Sequence, residues 1–354
     1  MGEPILNAFR FQRDVAPTSP LYGRLLGAVV DDAMRGGVCA DVLEHTPPDV
    51  EPVLDALPLR LMGGVHRLVL DGDAPELAAY YPSVGGRFDP DEPASDPTEA
   101  FLATIATYRD AMIASLSRAV QTNEVGRCAS LLPGFLEVAS TTGLPLRVLE
   151  VGTSAGLNLR WDHYRYEGGA DSTAFGDPQS SLRFAGVYDD PLPRLDASAV
   201  VVERRGCDRS PIDAGSAEGS QLLRSFVWAD QVERFAALDA ALAIAKSSPV
   251  EIDRADAHAW VDDQLRDRRE GRATVIFHSI VWQYLAPETR AGIKDSIHAA
   301  GARASSRAPI AWLRMEPGTD PAAGAEVRLT MWPGGAERIV ARTGYHGRPV
   351  RLCK

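Results

Sequence analysis

The sequence predicts an α/β protein: a mainly parallel sheet with a terminal antiparallel hairpin, preceded by a mainly helical N-terminal domain. Three observations predict it. Over the first third of the chain, apolar residues recur at helical spacing. From Pro145 onward, short apolar runs alternate with helical segments, as βαβ units do. Near the end, two strand-like runs flank Pro333-Gly334-Gly335, a hairpin turn. The pattern places a helical domain at 1–142 and a sheet domain at 143–354, and 354 residues suit two domains.

The elements follow in order. Ser19-Pro20 is an N-cap with proline at the first helical position, where its missing N–H costs nothing. Leu21, Leu25, Val29 and Met34 continue the helix, and Gly36-Gly37 ends it. A second helix is expected from about Pro52 towards Leu61, then an exposed loop from Pro82 to Pro97. Phe101, Ile105, Tyr108, Met112 and Leu116 read as one long stripe of core-packing residues. Strands are expected at Leu146 to Val151, Ala199 to Val202, Val250 to Ile252, Ala273 to His278 and Ile310 to Met315. Asp230 with Glu233 forms a capping box for a helix from Gln231 to Ala245, and another helix runs from Pro287 to Ala300. Val327 to Met331 and Arg338 to Arg342 form the hairpin.

Composition narrows the function. With 45% hydrophobic and 24% charged residues the chain has apolar material for a real core. A net charge of −11 with no basic cluster argues against nucleic acid and anionic membrane as partners. No signal peptide and no membrane-length apolar run is evident, so the expectation is a cytoplasmic protein with a small-molecule substrate. Cys39, Cys128, Cys207 and Cys353 include no C-x-x-C pair, so they read as reduced thiols, and no metal site is expected.

The chemistry concentrates at strand ends. Glu150-Val151-Gly152-Thr153-Ser154-Ala155-Gly156 closes the first strand and opens a helix, and small residues there let a backbone approach a ligand. Gly152-Thr153-Ser154-Ala155-Gly156 also matches the G-x-S-x-G turn of serine hydrolases, whereas Ser154 and Leu157 break the dinucleotide pattern G-x-G-x-x-G. Asp208 follows the second strand, where an acid accepts ribose hydroxyls. Asp256 follows the third, and either meets an adenine amino group or caps the helix carrying Trp260. His278-Ser279-Ile280-Val281-Trp282-Gln283-Tyr284 ends the fourth, with His278 either a base or a satisfied core residue. Trp161, Tyr164 and Tyr166 either line a pocket or cover a sheet edge.

This order of loop and acids resembles the class I S-adenosylmethionine-dependent methyltransferases, from about Pro145 to the C-terminus. The resemblance implies a Rossmann-like methyltransferase sheet with the terminal hairpin, and S-adenosylmethionine as cofactor. It implies cofactor contacts from Glu150, Gly152, Gly156, Asp208 and Asp256, and Ser154 in the loop and Ser279 at the end of the fourth strand are expected beside the cofactor too. Two departures stand out. Ser154 occupies the middle glycine position, and an insertion at about 161–195 makes the path to Asp208 far longer than the roughly 20 residues of a compact unit.

The whole chain is also similar to a family of uncharacterised bacterial proteins, the domain-of-unknown-function-2332 family. The stretches that carry this are Gly64 to Leu70, Ala155 to Leu159, Arg205 to Asp208, Phe226 to Trp228, His278 to Tyr284 and Trp312 to Pro317. The family implies no substrate. The expected activity is methyl transfer to an unknown small acceptor, with His278 and Tyr284 as catalytic residues and Trp282 and Tyr81 against the acceptor. Two alternatives stand beside it. One is a serine hydrolase using Ser154 with Asp256 and His346, and the other a catalytically inactive scaffold on the same fold.

Overall fold

Leu146–Val151 and Ala273–Ser279 are buried at every position, as strands covered on both faces must be. They sit side by side at the centre of an eight-stranded sheet. The structure, a computed structural model, describes residues 2–15, 18–168, 174–189 and 198–353. Its helices are α1 (Glu3–Asp14), α2 (Pro20–Met34), α3 (Val38–Leu43), α4 (Leu57–Asp71), α5 (Pro75–Ala78), α6 (Thr98–Thr107), α7 (Arg109–Leu116), α8 (Arg127–Thr142), α9 (Ala217–Ser225), α10 (Val232–Ser247), α11 (Ala257–Arg266) and α12 (Pro287–Ala302). Its strands are β1 (Leu146–Val151), β2 (Arg165–Glu167), β3 (Ala174–Phe175), β4 (Arg183–Ala185), β5 (Val201–Asp208), β6 (Glu251–Arg254), β7 (Ala273–Ser279), β8 (Ile310–Pro317), β9 (Ala325–Trp332), β10 (Glu337–Thr343) and β11 (Val350–Leu352).

The chain is thus a mixed α/β protein with a largely parallel central sheet. Two compact units form: residues 1–122 with 216–236, and residues 123–215 with 237–354. In the second unit the sheet order is β11-β10-β9-β8-β7-β1-β5-β6. The run β6-β5-β1-β7-β8 is parallel throughout and places the first five large strands in the order 3-2-1-4-5. That is a doubly wound order, and its direction reverses between β1 and β7. β9, β10 and β11 then add as an antiparallel meander on β8. The insertion contributes a separate three-stranded sheet, β3-β2-β4, anchored where Val350 N donates to Val187 O at 2.8 Å. Residues 169–173 and 190–195 of that predicted insertion lie outside the described residues.

Alternation along the strands gives the central sheet two chemically different faces. One face packs Leu149, Val151, Cys207, Ile276 and Trp312 into a core with α11 and α12. The other meets α8 and the insertion, where Phe135 stacks on Trp161 at 4.4 Å and meets Phe277 edge-on at 5.2 Å. Trp161, Tyr164 and Tyr166 are fully buried there.

The first unit is helical around Phe9, Leu25, Leu61 and Phe101. Ser19 caps α2 as its sequence promised, accepting from Tyr22 N at 3.2 Å. Asp230 bonds outside its own helix. Its carboxylate takes the Ser19 hydroxyl at 2.5 Å and Leu21 N at 3.1 Å, so it serves the start of α2. We expect Asp230→Ala to destabilise the protein by about 1–3 kcal/mol, the cost of stranding a partly buried donor. Equal urea midpoints for variant and wild type would contradict that pairing.

Other elements moved from their expected places. The stripe from Phe101 to Leu116 is two helices, broken at Tyr108, whose hydroxyl donates to Asp73 O at 2.8 Å. The second helix begins at Leu57 rather than near Pro52. The second large strand runs over Val201–Asp208 rather than 199–202, so it reaches Asp208 itself. The loop at Pro82 to Pro97 contains two short 3-10 turns, at Pro82–Val84 and Pro93–Ser95.

Candidate functional site

The carboxyl ends of β1, β5 and β7 meet at the switch in strand order, the place where open α/β sheets bind ligands. Glu150 is paired laterally with Gly206 and Phe277, so it faces α8 and the insertion. It is 2% exposed. Thr153 Oγ1 donates to its Oε2, and Asn158 also bonds to it. Burial above all, with nearby Asp208, holds the carboxyl up at about 8 rather than 4.5, against the lowering effect of those hydrogen bonds and of Arg127.

The loop after Glu150 is pinned by its own amides. Gly152 N and Thr153 N both donate to Cys207 O, at 2.9 and 3.0 Å. Ser154 N donates to Asp208 Oδ2 at 2.9 Å, while Ser210 N donates to Oδ1 at 2.8 Å. Gly156 N donates to Thr153 O, and Leu157 N to Asn123 Oδ1, both at 2.8 Å. Asp208 therefore stands beside the loop and accepts a backbone amide on each oxygen.

Gly152 and Gly156 have φ of +70° and +68°, a region that favours glycine. Their Cβ directions are filled by protein. Val281 Cγ2 lies 2.4 Å from where a Gly152 Cβ would stand, and Val250 Cγ2 2.9 Å from that of Gly156. Ser154 holds φ +52° without being glycine, and its buried hydroxyl has no hydrogen-bond partner. The loop was expected to open an α-helix. It opens a 3-10 turn, Asn158–His163, because side chains capture the carbonyls. Arg160 Nη1 donates to Gly156 O at 2.7 Å and Tyr164 Oη to Leu157 O at 2.6 Å.

β7 delivers its residues to both faces. Ser279 lies on the Glu150 side, and its carbonyl accepts from Arg127 Nη1 at 3.1 Å. His278 points to the opposite face, fully buried, and stacks on Trp282 at 4.9 Å between centroids. Its Nδ1 is 2.6 Å from Glu316 Oε1, at the end of β8. Glu316 also accepts from Val281 N and Trp282 N, at 3.2 and 3.3 Å. Nε2 of His278 is buried and has no hydrogen-bond partner. Between them Ile280 takes φ +50°, an outlier for a β-branched residue. Of the three non-glycine residues with positive φ among those described, Ser154 and Ile280 both sit at this edge.

The remaining expected site residues are dispersed. Tyr284 is 63% exposed on a 3-10 turn. Asp256 caps α11, accepting from His258 N and Ala259 N. His346 pairs with the buried Glu124 at 3.2 Å. Tyr81 is fully buried in the first unit, its ring 5.5 Å from that of His66. Glu316 is the functional residue the sequence reading passed over. Its signal was present, since Trp312 to Pro317 was already marked and the strand delivers Glu316 to the same edge.

Chemically, the loop offers carboxyls and has turned its amides inward. Phosphate groups are held by free backbone amides, so this arrangement suits amino and hydroxyl groups better than phosphate. Among the described residues no cluster of three or more potential metal ligands occurs, and no helix is long and apolar enough to cross a membrane. All four cysteines are free. A family model described as "Uncharacterized protein conserved in bacteria (DUF2332)" matches residues 7–351. No curated protein and no solved structure matches the chain.

Proposed function

The chain belongs to the bacterial DUF2332 family, and from that premise and the site's geometry we propose that it is an S-adenosylmethionine-dependent methyltransferase acting on a small molecule. One observation carries the proposal. At the switch point of a 3-2-1-4-5 sheet, two adjacent strands end in carboxyls, Glu150 and Asp208, and Asp208 accepts from the Ser154 amide of the loop that follows Glu150. The donor set fits the cofactor's chemistry. A buried carboxyl raised by desolvation is one that a ligand's cationic group would restore to charge. Asp208 ends β5 beside the loop, the position from which a carboxylate accepts ribose hydroxyls.

When bound, the cofactor supplies an electrophilic methyl group on a sulfonium cation. The protein's part is alignment and water exclusion, because displacement at a methyl group needs little else. Glu150 would hold the ammonium end, Asp208 the ribose, and Ser279 borders the same face. His278, fully buried on the opposite face of the sheet, is left out of this assignment, and Trp282 and Tyr284 follow β7 on the 3-10 turn at the same edge.

Calorimetry with S-adenosylmethionine and its demethylated product tests this. Saturable binding is expected, and Asp208→Ala should weaken it by about ten- to a hundred-fold, the worth of charge-assisted hydrogen bonds at roughly 1.5–3 kcal/mol. An absence of binding to the wild type would remove the methyltransferase reading and leave the scaffold. Equal binding by the variant would remove only the role of Asp208.

A further inference from the structure

The edge of the sheet opposite the candidate site has a cleft of its own. It opens at the amino ends of β1, β7 and β8, beside the ends of α11 and α12, and lies wholly within the second compact unit. Its enclosed space is about 10 Å³, room for one water-sized group, and the rest is open to solvent. Leu265 and Ile310 give it apolar walls. Its charged lining is four arginines and one carboxylate: Arg147, Arg268, Arg269 and Arg303, with Asp267. The arginines come from three separate stretches of chain, so the fold builds a basic cluster where the sequence shows none.

The charge here does not cancel. Arg147 is 2% exposed and fully engaged: Nε donates to Glu203 at 2.6 Å, and Nη1 and Nη2 to Gln264 O and Oε1 at 3.0 and 2.6 Å. Arg272 shares the same Glu203 at 2.9 Å, and Arg269 acts on it from farther off. Arg268 Nη1 donates to Arg303 O and Arg303 Nη2 to Leu265 O, both at 3.2 Å. Those two bonds cap the ends of α12 and α11, and helix C-termini favour cations. Capping explains why arginines stand here, but each bond takes one of the five donors that a guanidinium carries. The two helix ends bring about half a negative charge each. With Asp267 and Glu203 that makes about three negative charges against five arginines, and about two positive charges remain. Outside the cleft, Arg266 and Arg307 are neutralised by Asp263 and Glu270. In a chain of net charge −11 the cleft is a local reversal of sign.

We propose that this cleft is a binding site for a phosphate monoester, independent of the methyltransferase reading. A monoester carries about 1.5–2 negative charges near pH 7, which matches the local excess. Its bare oxygens suit the planar fork of guanidinium, which takes phosphate bidentately. Arg268, Arg269 and Arg303 are exposed at the rim, where they reach a group arriving from solvent. The enclosed space admits one phosphoryl oxygen, and the organic part of the ester stays outside. A carboxylate brings only one charge. A phosphodiester also brings one, and it has a second substituent where the monoester presents a bare end.

The test uses the full chain with no methyl donor: calorimetry at constant ionic strength with methyl phosphate, dimethyl phosphate and sulfate. Methyl phosphate should bind saturably, and dimethyl phosphate at least ten-fold more weakly. Methyl phosphate should tighten as pH rises from 5 to 7.5, because its second proton leaves near about pH 6 while the arginines stay charged. Sulfate is a dianion throughout and should bind without that trend. Arg269→Ala should weaken methyl phosphate about five- to ten-fold, the loss of one charge-assisted contact. Arg269 is exposed and makes no hydrogen bond among the described residues, so the variant should fold. Arg87→Ala, exposed on the other compact unit, should bind as the wild type does. No saturable binding of methyl phosphate overturns the proposal. So does dimethyl phosphate binding equally well, sulfate following the same pH trend, or full binding by Arg269→Ala. A single-stranded oligonucleotide that binds where methyl phosphate does not also overturns it, and makes the arginines a nucleic-acid contact. Binding of S-adenosylmethionine, present or absent, bears on the proposed function alone.

Discussion

Replacing Glu150 with Gln is expected to flatten the pH dependence of stability between pH 5 and 8. In the folded protein burial pushes this carboxyl up to about 8, from 4.5 in the unfolded chain. A raised carboxyl binds its proton more tightly when folded, so its contribution is complete below about pH 4.5. It is lost as pH rises through about 8, because the unfolded chain gives up the proton first. At 1.36 kcal/mol per unit, the loss across that window is on the order of 3 kcal/mol. His66, which burial lowers to about 4, penalises the folded state as pH falls below its ordinary 6.5. It is present in both proteins and cancels in the comparison. Urea unfolding at pH 5, 6.5 and 8 measures the slopes. If wild type and Glu150→Gln decline in parallel, the carboxyl is already ionised throughout, and a cationic ligand would settle on it without releasing a proton. The same logic gives binding a signature. A cationic group settling on Glu150 near pH 7 should release a proton, visible as a buffer-dependent heat.

The sheet was legible because its central strands are continuous apolar runs, and both faces of β1 and β7 are covered. The neighbouring carboxyls were legible for the same reason: once strand order is inferred, strand ends fall at one edge. What stayed hidden depended on side chains captured by distant backbone. Asp230 had the spacing of a capping box, yet the Ser19 hydroxyl and Leu21 amide, over two hundred residues earlier in the chain, claimed it. The helix expected after the glycine loop gave way to a 3-10 turn because Arg160 and Tyr164 took carbonyls that helical amides would have used. Tyr108 kept helical spacing while breaking the helix, since periodicity records which face is buried and not whether the axis is continuous. The pairing of His278 with Glu316 was hidden by sequence distance. It becomes visible only when β7 and β8 are set side by side, with His278 level with Arg314 and Glu316 two places beyond.

Gly152→Ala should be the most damaging single substitution at the site, and its cause separates two roles for the glycine. The residue holds φ +70°, which costs a non-glycine residue roughly 1–3 kcal/mol. The new methyl would also stand 2.4 Å from Val281 Cγ2 and 3.0 Å from Val281 Cβ, a branched carbon that cannot swing aside without moving the backbone. Overpacking of that kind adds about 1–3 kcal/mol. A loss of about 2–6 kcal/mol is therefore expected in urea unfolding, which approaches the whole stability of an ordinary domain. Val281→Ala removes the obstructing methyls. In a double-mutant cycle the pair should be less destabilised than the sum of the singles by about 1–3 kcal/mol, leaving only the backbone cost. Strict additivity would mean that Val281 does not fill this space. Glycine kept there for a cofactor's approach would behave differently, with stability nearly unchanged and binding gone. The two readings predict losses in different measurements. Urea unfolding and calorimetry on the same variant decide whether Gly152 serves the packing of the β1 and β7 turns against each other or the ligand above them.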